Sequence, residues 1–261
     1  MATEWLYGFH AVHEALRAGR RAFYALWLAE GLHPERAWVL QTLAAQRRVP
    51  VEVRPKDALT RVTGTRHHQG VALKVGPYPY VAFEDLLANL PHDEPALLLM
   101  LDQIQDPRNF AALLRTAEAV GVHGVIIPKR GQVGVTPTVV HVSAGAAEHL
   151  AIARYNLAQA ITRVQAAGLW VYGLDAAPQA QPITTVDLRG PLAWVVGSEG
   201  QGLRRLVRER CDARVRLPMR GRVASLNASV AGAIALYFTW HARGFVGAHP
   251  PDPNTPAEPA G

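Results

Sequence analysis

Apolar residues recur along this chain with two alternating periods, and the alternation predicts an α/β protein. Residues 5–16 carry apolar side chains in helical phase with Gly19 as a stop, residues 23–28 read as a strand, and residues 37–45 return to helical spacing. A strand at 49–53, a short helix at 56–62 and a strand at 71–75 complete a small unit over residues 1–76 that is expected to hold its own core. Gly76-Pro77-Tyr78-Pro79-Tyr80 and Pro91-His92-Asp93-Glu94-Pro95 bracket a short amphipathic helix at 83–90, so residues 77–95 read as an interdomain linker.

From residue 96 the pattern becomes more apolar. Ala96-Leu97-Leu98-Leu99-Met100-Leu101 has no polar position, as a strand covered on both faces requires. Asp106 and Pro107 supply the N-cap and first residue of a helix over 107–120, which Gly121 ends. Further strands are predicted at 124–128, 150–153, 169–174, 192–196 and 213–217. Between and after them come helices within 136–149 and at 157–167, 203–210 and 226–242. Strands alternating with helices point to a parallel sheet with helices on both faces. Residues 96–245 make up this second domain, and the proline-rich stretch 246–261 reads as a disordered tail.

Composition narrows the setting. At 261 residues and 49% hydrophobic content the chain can bury large cores, and its net charge of +6 favours an anionic partner such as nucleic acid. Three lysines stand against twenty-four arginines, a bias that suits phosphate binding and equally suits a GC-rich genome. Cys211 is the only cysteine, which excludes an intramolecular disulfide and a cysteine-based metal cluster. The start of the chain lacks a basic segment followed by an apolar core, and no run reaches about eighteen apolar residues. A soluble, cytoplasmic protein without membrane contact is expected.

Candidate chemistry collects where predicted strands end, because open parallel sheets bind ligands at the carboxyl ends of their strands. Val195-Val196-Gly197-Ser198-Glu199-Gly200-Gln201-Gly202-Leu203 is an apolar strand that stops at three glycines and a carboxylate. Such a turn bares backbone N–H groups to a ligand, although ordinary strand-to-helix turns are also glycine-rich. Its spacing is not G-x-G-x-x-G, and Leu203 stands where a phosphate-binding loop needs lysine, so neither a dinucleotide nor a nucleoside triphosphate is supported. Two further loops share that edge: Asp106-Pro107-Arg108-Asn109 through Arg115-Thr116-Ala117, and Leu217-Pro218-Met219 through Ser225-Leu226-Asn227-Ala228-Ser229. Asn109 and Arg115 lie six residues apart on one helix, about 240° of rotation, and do not share a face. Asn109 and Asn227 each donate and accept hydrogen bonds, and Ser225 is placed to cap the last helix. In the first unit Arg66, His67, His68 and Gln69 are rich in donors suited to RNA. The adjacent histidines have no third ligand nearby, so no metal is expected.

The three loops together resemble the three motifs of the SpoU family of RNA ribose 2′-O-methyltransferases over residues 96–243. Ala111 stands where that family often has glycine. Residues 1–76 are similar to the small ribosomal-protein-like RNA-binding domain that precedes the catalytic domain in the branch methylating guanosine in large-subunit (23S) rRNA. The resemblance implies an α/β fold with a C-terminal deep trefoil knot of the SPOUT type, which ordinary α/β domains lack. It implies S-adenosylmethionine as cofactor, lined by Gly197, Leu217, Met219 and Leu226. A homodimer through the final helix also follows, in keeping with the nearly all-round apolar run Val230-Ala231-Gly232-Ala233-Ile234-Ala235-Leu236-Tyr237-Phe238. Asn109, Arg115, Glu199, Ser225 and Asn227 become the catalytic set. Family accounts give activation of the ribose hydroxyl to the arginine matching Arg115, but arginine is a poor base near neutrality, so holding the neighbouring phosphate and polarising the hydroxyl is the better role. Glu199 reads as a link between loops rather than a base. Arg108, Arg204, Arg205, Arg208, Arg220 and Arg222 flank the loops as a prospective rim for rRNA. Three other readings stay open: a tRNA guanosine methyltransferase of the same family, an antibiotic-resistance rRNA methyltransferase, and a non-catalytic RNA-binding assembly factor.

Overall fold

A computed structural model describes residues 2–248; most of the stretch expected to be a disordered tail lies outside the described residues. The first unit is a four-stranded sheet of β1 (Glu4–Tyr7), β2 (Phe23–Ala29), β3 (Val51–Arg54) and β4 (Val71–Val75) in the order β1-β4-β2-β3, with β3 parallel to β2 and the other pairs antiparallel. Helices α1 (Phe9–Ala18), α2 (Pro34–Gln46) and α3 (Lys56–Thr63) connect the strands. Residues 5–7, read as helix from their phase with residues 9, 12 and 16, instead form β1. The chain breaks at Gly8 with φ +89°, where a Cβ would stand 2.5 Å from His141 Nδ1.

After α4 (Phe83–Ala88), the second unit holds seven strands, β5 (Leu97–Asp102), β6 (Gly124–Ile127), β7 (Ile152–Arg154), β8 (Trp170–Leu174), β9 (Gln181–Pro182), β10 (Leu192–Gly197) and β11 (Ala213–Arg216). Their order is β7-β6-β5-β10-β8-β11-β9, and every neighbouring pair is parallel. The helices are α5 (Pro107–Ala119), α6 (Pro137–Val142), α7 (Leu157–Ala166), α8 (Arg205–Arg210) and α9 (Ala228–Ala242). The two-residue strand β9 has too few residues to leave a period in the sequence.

The leucine run of β5 shows why its sequence lacks a polar face. Leu97, Leu99 and Leu101 enter the core shared with α5, α6 and α9, while Leu98 and Met100 enter the one shared with α4, α7 and α8. On α9, Gly232 lets the helix close on its neighbours: a Cβ there would stand 2.4 Å from Leu113 Cδ2 and 3.2 Å from Val196 Cγ2. The buried indole of Trp194 on β10 donates to Thr239 Oγ1 on the same helix at 2.8 Å. Among the described residues no helix is long and apolar enough to cross a membrane.

The core expected for the first unit is only in part its own: Ala29, Leu59 and Ala72 cluster within it, and the rest is shared with the second unit. Leu6, Phe9, Val12 and Leu16 belong to one cluster with Leu97, Phe110, Val139 and Trp194. Nor do residues 77–95 hang free between the units, since Tyr78 is buried and donates to the carbonyls of Ala147 and Leu150, while Phe83 and Leu86 of α4 pack in the other core. At this seam Arg21, its side chain fully buried, forks onto Glu148, with Nε 2.9 Å from Oε2 and NH2 2.7 Å from Oε1, and also donates to Glu4 and to the carbonyl of Gly76 at 3.1 Å. Burial alone would lower the Arg21 pKa, but the Glu148 and Glu4 carboxylates raise it. Nearby His149 Nε2 meets Glu14 Oε2 at 2.7 Å.

Arg21→Met leaves Glu148, which is 1% exposed, without its partner, and is expected to destabilise the protein by about 3–5 kcal/mol in urea denaturation. Adding Glu148→Leu is expected to recover a large share of that loss. The His149–Glu14 bond raises the histidine's pKa above 6.5, so its stabilisation is fully present below pH 6.5 and is lost as pH rises through the raised value. Burial would raise Glu14, but bonds with His13 and His149 hold it well below 4.5, so its own contribution is lost only as pH falls through that lowered value. His149→Gln is therefore expected to flatten the decline in stability from pH 6.5 upward, read as denaturation midpoints across pH.

Candidate active site

The sheet changes winding direction between β5 and β10: β6 and β7 continue to one side of β5, while β10, β8 and β11 lie on the other. Such a switch point opens a crevice at the carboxyl ends of the strands. Here it holds a cleft of about 810 Å3 walled by Leu174–Pro178 after β8, Val196–Leu203 after β10, Val215–Leu217 and Met219 after β11, and Ala224–Leu226, Ala228 and Ala231 at the start of α9. Gly197, Leu217, Met219, Leu226, Glu199 and Ser225 all face this space. The 174–178 wall was missed in the sequence, where Asp175-Ala176-Ala177-Pro178 carries no motif.

Backbone geometry accounts for the glycines. Beyond β10 the chain turns so tightly that Ser198 N donates to Gly202 O at 3.2 Å and Gly202 N returns to Ser198 O at 2.9 Å. A Cβ on Gly197 would stand 2.2 Å from the carbonyl carbon of Gly202 and 2.5 Å from Leu203 N, and Gly200 and Gly202 hold φ of +79° and +65°. Behind the loop, the fully buried Asp102 at the end of β5 accepts from Arg204 N at 2.8 Å and from Arg204 Nε at 2.7 Å. Arg204 is thus committed to holding the loop and is not a free member of the basic rim. An acid closing an otherwise apolar strand is the sequence signal that could have revealed this clamp.

Three loops meet at the mouth of the cleft through one carboxylate. Asn109 Nδ2 donates to Glu199 Oε1 at 3.0 Å, Asn227 Nδ2 donates to the same oxygen, and Asn227 Nδ2 lies 3.1 Å from Asn109 Oδ1. Ser229 Oγ donates to Asn227 Oδ1 at 2.6 Å and lies 3.2 Å from Asn109 Oδ1. The cap of α9 is Asn227, whose Oδ1 accepts from Ser229 N and Val230 N; Ser225 lies two residues earlier in the exposed loop and does not cap the helix. Asp106 caps α5 by accepting from Arg108 N at 2.8 Å.

Arg115 stands apart from this network. It is exposed on α5, about 240° around the helix from Asn109, and its side chain has no hydrogen bond or ion pair among the described residues. In the first unit Arg66 and His67 are exposed, but His68 is 5% exposed. Its Nδ1 accepts from Gly70 N at 3.0 Å and its Nε2 lies 3.1 Å from Thr60 Oγ1, and burial lowers its pKa. Gln69, at φ +51°, uses its side-chain carbonyl to accept from Phe9 N at 2.9 Å. His68 is therefore buried inside the turn, and the Gln69 carbonyl helps hold it, with Arg66, His67 and the Gln69 amide nitrogen left at the surface. Arg108, Arg208, Arg220 and Arg222 are exposed around the loops, and Arg205 pairs with Glu209 at 3.5 Å.

Residues 96–237 match the SpoU rRNA Methylase family, and residues 5–81 match the RNA 2'-O ribose methyltransferase substrate binding family. The chain is 41% identical over 240 residues to the 23S rRNA (guanosine-2'-O-)-methyltransferase RlmB of Nitrosomonas europaea, covering 91% of each. It is 44% identical over 241 residues to RlmB of Pseudomonas aeruginosa, covering 90% of this chain and 96% of that one. In fold it is similar to an AdoMet-bound rRNA methyltransferase from Sinorhizobium meliloti, with a TM-score of 0.77 at 24% identity, covering 94% of this chain and 88% of that one.

Gly197→Ala forces a methyl group into the Gly202 backbone, which cannot yield as a flexible side chain would. It is expected to destabilise the protein by about 1–3 kcal/mol and to speed amide exchange at residues 198–203, measured by thermal denaturation and hydrogen exchange.

Proposed function

The chain belongs to the SpoU rRNA methylase family, and we propose that it transfers a methyl group from S-adenosylmethionine to the ribose 2′-hydroxyl of a guanosine in 23S rRNA, working in the cytoplasm. The observation that carries this reading is the hydrogen-bonded set Asn109, Glu199 and Asn227, which joins the three loops at the mouth of one cleft. A binding protein that had lost its chemistry would have little use for three polar side chains from distant loops converging beside a cleft.

The cleft suits the cofactor. Leu174, Val196, Val215 and Leu217 offer apolar walls to an adenosine, and the side-chain-free backbone around Gly197 offers donors and acceptors at close range. The bound cofactor supplies a sulfonium methyl that is already activated for transfer. What remains for the protein is alignment and handling of one proton. Asn109 and Asn227 both donate to Glu199 Oε1 and Ser229 ties the two asparagines together, so that oxygen is spent on keeping the loops in register. Arg115 is free to reach a phosphate beside the acceptor ribose; that phosphate takes up the 2′-hydroxyl proton while the arginine's charge stabilises the developing oxyanion.

We place RNA capture in residues 1–76, with Arg66 and His67 as contacts, and methyl transfer in residues 96–245. The strand order supports the trefoil knot: β10 inserts between β5 and β8, and the chain returns from β11 to lay α9 beside β10 and α5. A homodimer through α9 is supported by its unpaired apolar stripe, in which Val230, Tyr237 and Phe238 are exposed along one side. Across that interface Arg115 can serve either protomer's site.

Arg115→Ala is expected to lower methylation of 23S rRNA about 10²–10³-fold while leaving the denaturation midpoint unchanged, since its side chain has no partner to lose. Methyl incorporation into purified 23S rRNA and tRNA transcripts, followed by mapping of the 2′-O-methyl position, tests the substrate. Transfer to tRNA alone, or no transfer to any rRNA, overturns the assignment.

A further inference from the structure

Beside the main cleft lies a second, smaller pocket of about 290 Å3 between the loop after β5 and the loop after β10. Ser198, Glu199 and Gln201 line both spaces, and Gln103, Gln105, Asp106 and Asn109 supply the pocket's remaining polar wall. The space is large enough to take a nucleobase, and a ribose attached to such a base would lie near Glu199, on the wall shared with the cleft.

The loop forming the far wall is held by its backbone and by the buried Ile104, while the side-chain amides of Gln103 and Gln105 are left unengaged. Ile104 N donates to Gln132 Oε1 at 2.6 Å, and Ile104 O accepts from Val133 N at 3.3 Å. Gln103 stays at φ +63°, a conformation uncommon for a residue with a Cβ, and its amide nitrogen lies against Gly131, where an added Cβ would meet it at 3.1 Å. The side-chain amides of Gln103, Gln105 and Gln201 have no hydrogen-bond partner among the described residues. Asp106 uses Oδ1 to accept from Arg108 N, and its Oδ2 is unengaged. A rigid backbone that presents free amides and one free carboxylate oxygen around a pocket is pre-organised to read a polar edge.

The polarity of that wall selects among bases. Guanine presents N1–H and N2–H donors beside the O6 acceptor, whereas adenine presents the N1 lone pair beside the N6 donor. A carboxylate oxygen accepts from the guanine donors and repels the adenine lone pair, and a glutamine amide can donate to O6. We propose that this pocket seats the base of the acceptor nucleoside, with Asp106 accepting from guanine N1–H and N2–H and Gln105 donating to O6. The inference rests on the reading of the protein as an RNA 2′-O-methyltransferase, and it assigns base selection to residues outside the Asn109–Glu199–Asn227 set.

The test compares rRNA fragments that carry guanosine, inosine or adenosine at the mapped acceptor position. Wild-type protein is expected to prefer guanosine over adenosine by about 10–100-fold in kcat/KM, and over inosine, which lacks the N2 amine, by about 10-fold. Asp106→Asn keeps a side-chain oxygen to cap α5, because asparagine is as good an N-cap as aspartate. It is expected to lower the guanosine-to-adenosine ratio at least 10-fold with cofactor affinity, measured by calorimetry, unchanged. Gln105→Ala removes an exposed side chain with no partner and is expected to lower the same ratio without affecting stability. Equal losses on all three RNAs in both variants, or ratios that do not move, overturn the pocket assignment while leaving methyl transfer intact. Failure of the wild-type protein to methylate the guanosine RNA overturns the functional reading instead.

Discussion

The carboxylate of Glu199 is the point on which the site's geometry depends. Asn109 reaches it from the first turn of α5 and Asn227 from the cap of α9, residues separated by 118 positions in the chain. Each asparagine has an ordinary local explanation, one on an early helical turn and one at an N-cap. It is their shared acceptor that makes them parts of one structure. Because the acceptor sits on a loop closed by its own backbone bonds and anchored through Asp102 and Arg204, its position is set by the sheet. A shift of that loop would misplace both asparagines together, so the site is expected to respond to perturbation as a unit.

Much of the sheet was legible because its strands are apolar throughout and its helices carry clear ends. The run 96–101 needs two covered faces, and Asp106-Pro107 marks the start of α5 to the residue. What the period could not resolve is local competition between backbone states. Residues 5–7 satisfy a helical pattern, but Leu6 pairs with Leu73 across an antiparallel ladder, and the break at Gly8 decides the matter. The candidate site was read from its three polar loops, including the use of Glu199 as a tie. Ser225 was misread as a cap because Asn227, two residues on, competes for the same role, and His68 was grouped with its exposed neighbours because sequence does not tell which side chain of a turn points inward. The Asp102–Arg204 clamp joins residues 102 positions apart and leaves no periodic trace.

The seam between the two units has a physical character that the chain's punctuation conceals. Prolines and glycines around residues 77–95 suggest a hinge, yet Tyr78, Arg21 and Glu148 are buried there and bonded to one another's neighbourhoods. Such polar contacts inside an apolar surround constrain orientation more than they add stability, because each donor is satisfied only in one arrangement. The apolar cluster running from β1 through α6 to β10 supplies the stabilisation, and the ion pair supplies the alignment.

That continuous core makes the protein a ruler. If RNA is held at Arg66 and His67 and modified beside Asn109, as proposed, it would span a separation built into packed side chains rather than into a tether. Recognition can then be spread over two distant patches without either patch binding tightly, since an RNA whose folded shape misses the spacing engages one patch at a time. Selectivity among large structured RNAs would come from their three-dimensional shape, with the sequence around the acceptor left to the pocket that receives it.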